Sequence, residues 1–187
     1  MSASVLERPA RRELALEWIA VGAGIMLLLV RSSAVALPSA PVILLGLYAC
    51  VAWVSLGVRT DPVTPRAVWP ALLVGLVAVA AAAVVGGRPP PASRSTWAVP
   101  LALGAAVAEE AFFRGLLYSV LSRSGVAIAV IGAAVAFAAL HVPGYGVSVF
   151  WVDLGAGLLL SWQRWASGGW AVPAATHVAA NLLAVLR

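Results

Sequence analysis

The sequence predicts an all-α, polytopic membrane protein of about seven transmembrane helices. Three observations carry that prediction. Hydrophobic residues make up 63% of the 187 positions, charged residues only 10%, and apolar stretches long enough to cross a bilayer recur from one end to the other. A mean hydropathy of +1.00 belongs to a chain surrounded by lipid, not to a soluble domain with an anchor. The length suits one domain. Residues 1–187 therefore read as a single integral membrane domain, with generic helices over 1–95 and a core rich in ionisable residues over 96–187.

The elements follow from apolar runs and their breakers. After a polar, arginine-bearing start (Met1 to Glu13), the first predicted helix covers Leu14 to Val30 and stops at Arg31. The basic start and Ala34-Val35-Ala36 also fit a cleaved signal peptide, but a polytopic chain ordinarily keeps its first helix. The second helix covers Pro41 to Val58, between Pro38 and Arg59-Thr60-Asp61. The third covers Ala67 to Val85 and ends at Gly86-Gly87-Arg88 and Pro89-Pro90-Pro91, which no helix continues through. The fourth, Thr96 to Leu121, holds Glu109, Glu110 and Arg114. The fifth, Val126 to His141, ends near Pro143 and Gly144. The sixth, Val147 to Trp162, carries Asp153. After a turn at Arg164 to Gly169, the seventh, Trp170 to Leu186, carries His177 and Asn181. No internal repeat is visible.

All twelve basic residues are arginine, and alanine and valine abound, which points to a GC-rich bacterial genome and hence a bacterial plasma membrane. The net charge of +5 does not indicate nucleic acid, because the arginines stand singly or in pairs at helix ends, as membrane-flanking charges do. With the N-terminus inside, seven arginines fall on that side and four on the other, Arg114 left aside. That bias favours this orientation. The single Cys50 rules out an intrachain disulfide and a cysteine-rich metal site. The eight tryptophans, mostly near helix ends, are interfacial anchors.

Against this background the ionisable residues in apolar surroundings stand out. In the fourth helix the Leu, Val and Phe residues from Val99 to Leu121 number ten, worth roughly −3 to −6 kcal/mol on an insertion scale. Three ionisable groups near mid-membrane cost about 2.5–3.5 kcal/mol each, so this helix needs partners in a bundle. Glu110 and Arg114, four residues apart, lie on one face and can neutralise each other; a structural ion pair is the plainer reading of them. Glu109 is turned about 100° from Glu110 and must look to other helices. His141 follows Phe137 by four and Asn181 follows His177 by four, each pair among alanines that permit close helix approach. Taken alone, each histidine reads equally well as an interhelical hydrogen-bonding group. Together, Glu109, His141, His177 and Asn181 predict a buried centre between helices four, five and seven, with a base for water and donors for an oxyanion. Glu109, His141 and His177 can equally hold a zinc ion with an open position for water.

The run Ala108-Glu109-Glu110-Ala111-Phe112-Phe113-Arg114 resembles the EExxxR motif of the CPBP family of intramembrane proteases, which includes the CAAX prenyl proteases and proteins of bacteriocin processing and self-immunity. Phe137 to His141 is similar to its FxxxH motif, and His177 to Asn181 to its HxxxN motif. Gly157 to Trp162, with Arg164 and Gly168-Gly169-Trp170, resembles the segment between them. The resemblance covers Thr96 to Leu186. It implies an endopeptidase in which Glu109, beside His141, activates water, while His177 and Asn181 stabilise the oxyanion or position the substrate. Glu110, Arg114 and Phe137 would hold the site in shape. It implies a peptide or membrane-protein substrate and a lipid bilayer as partners, and a reaction that is either metal-dependent or glutamate-dependent. Zincin-type HExxH spacing is absent, which favours glutamate-activated water over zinc. A bacterial chain makes a prenylated substrate a poor fit, and Asp153 receives no role. Two rival readings are a non-proteolytic scaffold or immunity protein of the same fold, and a small proton-coupled transporter. The second calls for inverted repeats, which the sequence does not show.

Overall fold

Hydrophobic runs that are apolar on every side, as these are, form helices that bury some faces in a bundle and turn the rest to lipid. A computed structural model describes residues 11–37, 39–58, 66–85 and 95–187. Residues 1–10, Pro38, Arg59 to Asp61 and the Gly86 to Pro91 breaker, all singled out in the sequence, lie outside the described residues.

Among the described residues the chain forms seven helical rods and no strand. They are α1 (Arg11–Ala34), α2 (Ala40–Leu56), α3 (Val68–Val85), a composite rod, α6 (Val126–Tyr145), α7 (Phe150–Ser167) and α8 (Ala171–Leu186). The composite rod joins α4 (Ala98–Glu110), a π-helical segment (Ala111–Leu117) and α5 (Tyr118–Ser122). It is the fourth helix of the sequence reading. By length and composition Arg12–Ala34, Val68–Val85 and Val126–Tyr145 can each cross a membrane, and Ala40–Leu56 and Ala171–Leu186 are shorter apolar helices. Large apolar side chains such as Trp53, Trp69, Val84 and Trp151 point outward, as they do where lipid is the solvent.

Several departures from the sequence reading bear on the site, and α7 also runs on to Ser167, so that Arg164 is helical and the turn begins only at Gly168. Helix α1 runs past Arg31 to Ala34, so Arg31 is a helical residue whose side chain reaches inward. Helix α6 runs on to Tyr145 with Pro143 inside its last turn, and stops at Gly146, whose φ of 87° is left-handed. The π-helical segment falls just after the carboxylate pair, where such insertions are common at functional sites. A short 3₁₀ turn, Val147–Val149, delays α7 to Phe150, which puts Asp153 in its first turn instead of its middle.

The composite rod is the centre of the bundle. Phe112, Phe113, Leu116 and Val120 are buried with Val21, Leu28, Leu44, Tyr48, Val51 and Phe137 in one cluster drawn from α1, α2 and α6. Helices α6 and α7 approach closely because Gly157 has no side chain: a Cβ there would lie 3.0 Å from both the Cα and the carbonyl oxygen of Ala134. Those are backbone atoms, so relief requires the two helices to part. We expect Gly157→Ala to lower stability by about 1–3 kcal/mol, measured as the thermal unfolding midpoint in detergent.

Candidate active site

Adjacent residues of an α-helix point about 100° apart, so Glu109 and Glu110 at the end of α4 serve different neighbours. Both are buried. Glu109 Oε1 accepts a hydrogen bond in an ion pair with Arg31 of α1. Its other oxygen lies 3.7 Å from Nε2 of His141 on α6. Glu110 Oε1 accepts from Arg114 at 2.8 Å and from Nδ1 of His177, on α8, at 2.8 Å. The two carboxylates thus found two clusters, Arg31–Glu109–His141 and Arg114–Glu110–His177.

Arg114 is wholly buried, and a bare guanidinium there would cost several kcal/mol. Three groups compensate it: the Glu110 carboxylate, the Gly157 carbonyl at 3.0 Å, and the ring of Phe137, whose centroid is 4.7 Å from the guanidinium carbon. Phe137 also stands between the histidines, 4.5 Å from the His141 ring and 5.8 Å from the His177 ring. Its backbone carbonyl lies 2.8 Å from Nδ1 of His141. A carbonyl only accepts, so Nδ1 carries a proton and Nε2 is the nitrogen that faces Glu109. Tyr145, one turn on, stacks on the His141 ring with centroids 5.8 Å apart.

A cavity of about 350 Å³ opens beside this centre. Phe137, His141, Asp153, His177 and Asn181 line it, together with apolar residues of α3, α7 and α8 and the neighbouring Thr176. Glu109 and Glu110 are buried against these two histidines. Thr176 is fixed from below, where its hydroxyl accepts from Gln163 at 2.8 Å while the same amide also donates to the Ala71 carbonyl. Asn181 gives one amide hydrogen to the Ala102 carbonyl of α4 at 3.2 Å. That bond ties α8 to the carboxylate helix and leaves a second amide hydrogen for a ligand.

The residues singled out in the sequence therefore come together from α4, α6 and α8, with some changes of partner. His177 meets Glu110, not Glu109. Glu109 finds its counter-ion in Arg31, which by its place at the end of an apolar run reads as a membrane-flanking charge. Tyr145 and Asp153 join the site from positions to which the sequence had assigned no part. The trio Glu109, His141 and His177 is not arranged as zinc ligands. Among the described residues no three His, Cys, Asp or Glu side chains are gathered as a metal ion requires, and Glu109 is engaged by Arg31.

The EExxxR, FxxxH and HxxxN residues now share one buried centre, and the stretch that holds them, residues 91–183, matches the type II CAAX prenyl endopeptidase Rce1-like family. The chain belongs to that family. No curated protein and no solved structure matches it. Rce1-like membership makes the chain a member of a CAAX-type intramembrane protease family, in keeping with apolar helices suited to a bilayer. The family match begins beyond α1, so Arg31, which closes the Glu109 cluster, comes from a part of the chain outside it.

Proposed function

We propose that this protein is an intramembrane endopeptidase that hydrolyses peptide bonds with a water activated by Glu109 and His141, without a metal. The observation that most supports this reading is one cavity wall shared by His141, His177 and Asn181, with Glu109 3.7 Å from Nε2 of His141. A carboxylate and an imidazole at that separation can act on one water that contacts both and can pass its proton between them. Glu109 takes the proton from water as the hydroxyl adds to the peptide carbonyl. His177 and the spare amide hydrogen of Asn181 meet the oxyanion that forms. To donate from Nε2 the His177 ring carries a proton on each nitrogen, with Glu110 as its counter-ion at Nδ1.

The substrate in this reading is a peptide or membrane-protein segment delivered from the bilayer, since the cavity is mostly apolar. The site residues, the single-domain organisation over 1–187 and a bacterial plasma-membrane location belong to the same proposal. The test is a peptide library incubated with the purified chain in lipid vesicles and read by mass spectrometry, before and after exhaustive dialysis against a strong chelator. The expected result is cleavage at defined bonds with a rate that the chelator leaves unchanged. A rate abolished by chelation and restored by zinc would overturn the metal-free part. Absence of any cleavage would overturn the peptidase reading.

A further inference from the structure

Asp153 is the ionisable residue of the cavity that the scheme above leaves unused. An acid in the first turn of a helix ordinarily faces solvent and complements the helix dipole. Here it does neither alone. The carboxylate lines the cavity, and its Oδ2 is buried with no hydrogen-bond partner among the described residues. That oxygen lies 3.9 Å from Nδ1 of His141. An orphaned carboxylate oxygen in a buried setting is costly unless a positive charge stands or develops beside it.

The His141 ring is bracketed. Nδ1 faces the Phe137 carbonyl at 2.8 Å and Asp153 at 3.9 Å, and Nε2 faces Glu109 at 3.7 Å. The groups around it are thus Glu109 from α4, Asp153 from α7, Tyr145 from its own helix, and Arg31 of α1 behind Glu109. With Nδ1–H committed to the Phe137 carbonyl, proton traffic passes through Nε2, and the ring is cationic whenever Nε2 also holds a proton. At about 4 Å an opposite charge stabilises that cation.

We infer that Asp153 is a positioning residue for the proposed hydrolysis: it steadies the His141 imidazolium so that Nε2–H can protonate the leaving amine. The inference rests on the peptidase reading. Water adds its oxygen to the carbonyl carbon and yields one proton to Glu109. As the C–N bond breaks, its electron pair stays on nitrogen, which takes the proton from His141 Nε2. Transfer of the first proton from Glu109 to Nε2 across their contact restores both groups, leaving an acid and an amine. The arrangement resembles the aspartate of a serine-protease triad in what it does for the imidazole, but it is built from another helix at longer range.

Leaving-group dependence tests this. An amine must be protonated to depart, whereas 4-nitrophenolate departs without help. The experiment compares a peptide cut in the vesicle assay with the 4-nitrophenyl ester of its acyl half, using wild type, Asp153→Asn and Asp153→Glu, each first checked for a cooperative thermal transition. The expected result is that Asp153→Asn lowers the ratio of amide to ester kcat by about tenfold or more, with KM for the peptide changed little, and that Asp153→Glu restores most of the ratio. Equal slowing of amide and ester in Asp153→Asn overturns the inference while leaving the peptidase reading intact. So does a loss seen only in KM, which makes Asp153 a substrate contact. Wild type that cuts neither compound overturns both together. If Asp153→Asn does not fold, Asp153→Ser takes its place: a ratio lowered by about tenfold supports the role, and equal slowing of amide and ester contradicts it.

Discussion

Arg114→Met is expected to destabilise the protein by about 3–5 kcal/mol, because it leaves the Glu110 carboxylate buried opposite an apolar side chain. Few residues are so thoroughly enclosed: both members of the pair are 0% exposed, and the arginine has carboxylate, carbonyl and aromatic partners at once. A surface pair would be worth a fraction of this. The penalty arises from the surviving charge more than from the lost contact, so removing both charges costs less than removing one. Arg114→Met combined with Glu110→Leu should therefore recover a large part of the stability lost in the single variant. Denaturant-induced unfolding in a fixed detergent, read on both single variants and the pair, gives the coupling. Additive losses would contradict the ion pair as drawn. The recovered double variant should remain inactive, since Glu110 also holds His177 at 2.8 Å.

Much of this centre was legible in spacing. A separation of four placed Glu110 under Arg114 and Phe137 under His141, and helical geometry carries both through to contacts of 2.8 Å and 4.5 Å. It survives even a π-helical segment that no composition announces. What stayed hidden depends on how rods are rotated and where they end. Whether His177 turns to Glu109 or Glu110 is decided by the roll of α8 against α4, and neighbouring alanines permit either. Arg31 looked like a flanking charge because an apolar run followed by arginine is how most membrane helices stop. Only the bundle shows that α1 continues for another turn and delivers the guanidinium to Glu109. Asp153 looked mid-helical until the 3₁₀ turn at Val147–Val149 moved the start of α7. The generic first half of the chain is thus generic in composition alone.

Glu109→Gln is expected to lower kcat for peptide hydrolysis by about 10²–10⁴-fold, with stability held close to wild type. The substitution keeps the shape of the side chain and an oxygen for Arg31, but a neutral amide cannot take a proton from water. Loss of the negative charge leaves Arg31 less well compensated, yet that guanidinium is not wholly enclosed, so the fold should bear the change better than it bears the loss of Arg114. The decisive measurement is single-turnover cleavage of one library-derived peptide in lipid vesicles by wild type and by Glu109→Gln at matched folded fraction. The account predicts product from wild type and, within the same time, almost none from the variant. Cleavage by Glu109→Gln at the wild-type rate would contradict it and remove Glu109 from the chemistry.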